Sequence, residues 1–163
     1  MEKKDNTYEP GQETESNLEK LPKTKFEQID VDTETELVYS FMNDNGWKHV
    51  FDSKYPELRV IQNAGKNKDE CMTGYRKFIE EIHAKDREKM IHAQEQMGQE
   101  WGKIESVFFE VLSEHFETGW PEDKKEIVGY ISMLPVFPRF LDKYSFCIGY
   151  KDLQSMVETS AHE

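Results

Sequence analysis

The stretch from Lys68 to Phe116 constrains this chain more than any other, because its apolar residues repeat at helical spacing over most of its length. Met97, Trp101, Ile104, Phe108, Val111 and His115 follow one another at alternating intervals of four and three, while Glu100, Lys103, Glu105, Glu110 and Glu114 mostly fill the other faces. That pattern predicts a helix with one buried stripe. Met72, Tyr75, Phe78, Ile79 and Ile82 repeat in the same way upstream, and HAKDRE (His83 to Glu88) is the expected break between two helices. Gly119 and Pro121 end the segment. A chain with this much amphipathic helix needs another layer to bury the stripe against.

The remaining patterns supply that layer. EIVGYISML and YSFCIGYK are rich in Ile, Val, Tyr and Phe, and they flank PVFPRFLDK, whose Pro135 and Pro138 do not suit a central strand. Two strands joined by a broad loop are expected, and the PxxP there reads as a stiff turn. SFCIGY alternates Phe146, Ile148 and Tyr150 with Ser145, Cys147 and Gly149, as a strand with one face on a core would. WKHVFD and ELRVIQN, separated by Ser53 to Pro56, predict a small hairpin. Before them, Thr33 and Glu36 form a capping box ahead of Leu37, Val38, Phe41 and Met42, and Asn43 to Gly46 supply a stop, which predicts a short helix. The fold expected is α+β, with long amphipathic helices on a small, mostly antiparallel sheet.

Residues 1–30 hold Glu, Lys, Asn, Thr, Gln, Pro and Gly with almost no apolar periodicity. They are expected to form a disordered polar tail ahead of one domain over 31–163, because too little apolar surface is available to offset the ordering entropy. The 163-residue chain carries a formal net charge of −12, which offers no attraction to phosphate backbones or anionic lipid, so neither nucleic acid nor membrane is an expected partner. There is no apolar run of the roughly 20 residues that span a bilayer and no apolar leader segment, so a cytoplasmic location is expected. Cys71 and Cys147 fit no metal or redox spacing and read as buried thiols.

Chemistry-bearing motifs are sparse. No P-loop, GxGxxG or GxSxG occurs. His83 and His92 stand nine residues apart, on opposite sides of a straight helix, and read with His49 as surface histidines; His115 continues the apolar stripe. The C-terminal stretch is different. From Asp152, an available N-cap, Leu153, Met156, Val157, Ser160 and Ala161 keep helical spacing up to Ala161-His162-Glu163, with no Gly, Asn or Pro to stop the helix. It reads as the start of a longer, incomplete helix. HE opens the zinc-peptidase motif H-E-x-x-H, in which histidines one turn apart face one metal.

WGKIESVFFEVLSEHF, EIVGYISMLPVFPRFLDKYSFCIGYKD and VETSAHE together resemble the region preceding the zinc-binding helix in bacterial metallopeptidases of the zincin fold, over roughly residues 100–163. The resemblance implies that His162 is the first zinc ligand and Glu163 the general base of a zinc-activated water attacking a peptide or protein substrate. It also implies that Tyr144 to Tyr150 lie beside the substrate cleft. The second histidine, three positions past Glu163, and a third ligand are absent, so the 163-residue chain is expected to bind no catalytic zinc and to hydrolyse nothing. The alternative expectation is a small acidic factor of antitoxin, immunity or phage type that acts by binding another protein. Trp101 and Trp120 would be its interface anchors, although core packing is the ordinary role of such residues.

Overall fold

The computed structural model describes residues 21–163 apart from residues 45, 47, 118, 136 and 137. The described chain runs through β1 (Lys23–Gln28), α1 (Val31–Asn43), α2 (Lys48–Lys54), α3 (Pro56–Ala64), α4 (Lys68–Gly102) and α5 (Glu105–Phe116). It continues through β2 (Glu126–Ser132), β3 (Arg139–Phe140), a 3₁₀ turn at Leu141–Lys143, β4 (Ser145–Gly149) and α6 (Leu153–His162). The architecture is α+β. The sheet has the order β1-β2-β4-β3. Its orientation differs from the antiparallel expectation: β1 pairs with β2 and β2 with β4 in parallel, and only the two-residue β3 runs antiparallel, along β4. Helices between β1 and β2 carry the chain back across the molecule, and a return of that kind sets strands parallel whatever their side-chain pattern.

The expected tail is too long. Residues 1–20 lie outside the described residues, but Lys23–Gln28 form β1, an edge strand in register with Glu126 to Ile131. Only Phe26 and the following Ile29 are buried apolar residues here, so backbone pairing carries an ordering that composition did not foretell. Glu105, at the start of α5, takes the outward N–H of Thr24 at 2.5 Å, which satisfies an edge donor.

α1 begins before the predicted box. Asp30 caps it, accepting from Thr33 N at 2.8 Å and from Thr33 Oγ1 at 2.6 Å, and Val38 and Met42 are buried as expected. The predicted hairpin is two helices. Pro56 takes the first helical position of α3, the fully buried Phe51 and Leu58 anchor α2 and α3, and the Arg59 guanidinium forks onto Asp52 between them. Burial of one side chain per short helix outweighs the modest strand preference of Val and Ile.

α4 covers 35 residues as two helical halves joined across a kink at Asp86, whose φ of −107° and ψ of 15° leave the helical region. The kink falls inside HAKDRE, where the break between two helices is expected, and a further interruption follows at Lys103 and Ile104. These two residues between the helices reset the rotation of α5 relative to α4. Met97 and Trp101 are buried as the stripe predicts, whereas Ile104, Val111 and His115 face outward and Phe109 turns in.

The core lies on both faces of the sheet. Phe26, Ile131, Phe146 and Ile148 pack with Ala93, Met97, Trp101, Phe109 and Met156. Tyr130 and Cys147, their neighbours along the strands, point the other way and join Val38, Phe51, Leu58, Tyr75 and Ile79. All of Ser145–Gly149 is buried, so the strand expected to set one face on a core is covered on both sides.

Candidate functional site

α6 comes after β4 by a short connection and packs on β4 and α4. Asp152 caps it as expected, accepting from Ser155 N at 3.0 Å and from Ser155 Oγ at 2.8 Å. These bonds hold the Asp152 carboxyl below the ordinary carboxylate range, the backbone bond from Ser155 contributing most. Met156 and Ser160, one turn apart, face the core, and Ser160 Oγ donates to Met156 O at 2.9 Å. The end of the helix brings Ala161, His162 and Glu163 to the wall of a cavity of about 480 Å³.

The other walls of that cavity come from four parts of the fold. Trp101 lies near the end of α4, Phe108, Phe109 and Leu112 come from α5, and Ile127 and Phe146 from the sheet. Rings dominate: Trp101 and Phe108 meet edge to face at 5.2 Å, and Phe109 and Trp120 at 5.0 Å. Arg139 and Tyr144 bring the connection between β2 and β4 to the same space. Arg139 donates through Nε to Glu163, and that hydrogen bond and the attached negative charge hold the guanidinium above its usual range. Among the described wall residues, Thr24 Oγ1, Ser145 Oγ, Trp101 Nε1 and Trp120 Nε1 are buried without a hydrogen-bond partner.

The two residues predicted for a metal site thus share one cavity wall but occupy it differently. His162 is exposed, whereas the side chain of Glu163 is 9% exposed and engaged by Arg139. A single imidazole beside a carboxylate already paired with a guanidinium does not make the donor set that zinc catalysis requires. Among the described residues no group of three or more His, Cys, Asp or Glu side chains is arranged to hold a metal ion.

A second polar cluster, absent from the sequence expectations, sits inside the molecule. Glu34 of α1 is 1% exposed; Ser132 Oγ of β2 donates to its Oε1, and His83 Nε2 of α4 meets its Oε2. Ser132 Oγ also accepts from Leu134 N at 2.9 Å. His83 is therefore a partner of a buried carboxylate, in contrast to the surface role expected of it, while His92 and His115 are exposed. Serine, histidine and carboxylate invite comparison with a hydrolytic triad, yet the carboxylate stands between the other two. A triad needs the imidazole on the nucleophile, and Ser132 is closed off from solvent. The cluster ties three elements together. Glu34 precedes Val38 and Met42 at four-residue intervals, so its place on the inner stripe of α1 was the available signal.

Both cysteines are free and buried, as their spacing predicts. Burial pushes the Cys147 thiol up to about 12, with the Glu34 and Asp30 charges adding to it, which leaves it no thiolate for chemistry at neutral pH. No helix among the described residues is long and apolar enough to cross a membrane. Compared with family models, with curated proteins and with solved structures, the chain matches none.

Proposed function

We propose that this chain is the N-terminal portion of a zinc metallopeptidase-like domain of the zincin type, with α6 as the first part of its metal-binding helix. One observation carries the reading: the helix that directly succeeds β4 brings His162 and Glu163 to the wall of a cavity of about 480 Å³, which Tyr144, Ser145 and Phe146 also line. A peptide-hydrolysing domain needs its first ligand and its carboxylate at a cleft of substrate size, and these residues have that setting. In this reading the 163 residues alone hydrolyse no peptide, because one histidine supplies one of about three ligands.

The test is the nucleotide sequence after codon 163. An open frame giving any two residues and then histidine is expected, and a protein extended through that helix should copurify with zinc in a manner lost on His162→Ala. An immediate stop codon would overturn the proposal. A second reading, an acidic factor that binds another protein, draws on a different observation. Ile104 ahead of α5 and Val107, Val111 and Phe116 on it leave apolar surface exposed, with Phe116 at 65%. A stop codon would favour that reading.

A further inference from the structure

We propose that the cavity binds a small amphiphilic carboxylate, with the apolar body of the ligand against the aromatic wall and its carboxylate on Arg139. At about 480 Å³ the space falls inside the range of roughly 300–1,000 Å³ that small-molecule sites occupy. Its walls are mainly rings and aliphatic side chains, which select an apolar body. The polar features select the head group. Among the described residues, Arg139 is the one lysine or arginine lining the cavity, and it already holds a carboxylate there, that of Glu163 on the facing wall.

On a chain of net charge −12, an anion binds where a cation is presented. Arg139 presents one at the cavity wall, with its side chain 45% exposed. Glu163 is then a built-in competitor: a ligand carboxylate takes its place on the guanidinium while the Glu163 side chain swings to solvent. The inference stands on the cavity without any metal, so its outcome and that of the peptidase reading are independent.

The test titrates the purified 163-residue protein with octanoate, 1-octanol and octylammonium below their micelle-forming concentrations. Binding is measured by calorimetry and by tryptophan fluorescence. Octanoate should bind one to one and about tenfold tighter than octanol, the difference a charge-assisted hydrogen bond makes. Octylammonium should be the weakest of the three. Arg139→Gln should reduce octanoate to the level of octanol, and Glu163→Gln should tighten octanoate about threefold by removing the competing ion pair. Leu112→Trp, which fills the cavity, should abolish binding with the circular dichroism spectrum retained. If that variant does not fold, the Arg139 and Glu163 comparisons decide. No octanoate binding, octanoate no tighter than octanol, or a preference unchanged in Arg139→Gln would each overturn the proposal.

Discussion

Gly129 shows how narrowly single positions are set. It stands in register between Phe26 of β1 and Phe146 of β4, and a Cβ built on it would lie 2.8 Å from the Phe26 ring and 3.0 Å from that of Phe146. The two rings close over the space that glycine leaves. A methyl group there has to push aside ring atoms packed into the core around Trp101, which Phe26 meets edge to face at 6.3 Å. Gly129→Ala is expected to destabilise the protein by about 1–3 kcal/mol, the usual range for overpacking. A lower urea midpoint with an unchanged slope would agree, and an unchanged midpoint would contradict the packing described. Tyr75 is the opposite case. Its ring is fully buried but its hydroxyl has no partner, and burial pushes that hydroxyl up to about 12.

Among the elements, α1 and α6 share one device. Asp30 and Asp152 each accept a backbone N–H and a hydroxyl from the residue three positions on. Both carboxyls are held below the ordinary 3.8: for Asp30 burial is the largest single influence and pushes upward, but the bonds from Thr33 and from the Asp30 and Asp32 backbone together outweigh it, and for Asp152 the Ser155 bonds dominate. A carboxyl with its folded value lowered adds stability that is present above its unfolded value and is lost as pH falls through the folded one. Melting temperature should therefore drop as the pH is taken from about 5 to about 2.5. Asp30→Asn, which caps without titrating, should flatten part of that drop. An identical acid profile in the variant would assign the loss to other carboxylates. α5 ends differently, on Glu117 at a left-handed φ of 52°, a position that glycine usually fills.

At the scale of the whole molecule, Glu34, His83 and Ser132 join α1, α4 and β2 at one buried point. The geometry makes the three mutually dependent. Ser132→Ala leaves a carboxylate oxygen and the Leu134 N–H without a partner, and should cost about 2–3 kcal/mol. The double variant with Glu34→Gln should show a coupling above about 1 kcal/mol in urea unfolding. Additive effects would mean that the bond between them contributes nothing. The same scale holds the candidate site, because no element owns the cavity. It exists only where the ends of α4 and α6, the face of α5 and the N-terminal ends of the strands converge.

Several features were legible in the sequence because they are local. Periodicity marked α4 and α5, β-branched and aromatic runs marked β2 and β4, and Asp152 marked the start of α6, since helical spacing and caps depend on residues within one or two turns. The hairpin that is really α2 and α3, the unmarked β1 and the parallel pairing were not legible. Each depends on a partner far along the chain: Phe51 and Leu58 on a core they share with Tyr75, and Lys23–Gln28 on Glu126 to Ile131. The same division runs through the site. That His162 and Glu163 close a helix with a buried face follows from residue order alone, because side-chain direction is set by helical rotation. That Arg139 engages Glu163, and that an aromatic cavity opens beside them, comes instead from how distant elements pack, which no local pattern encodes.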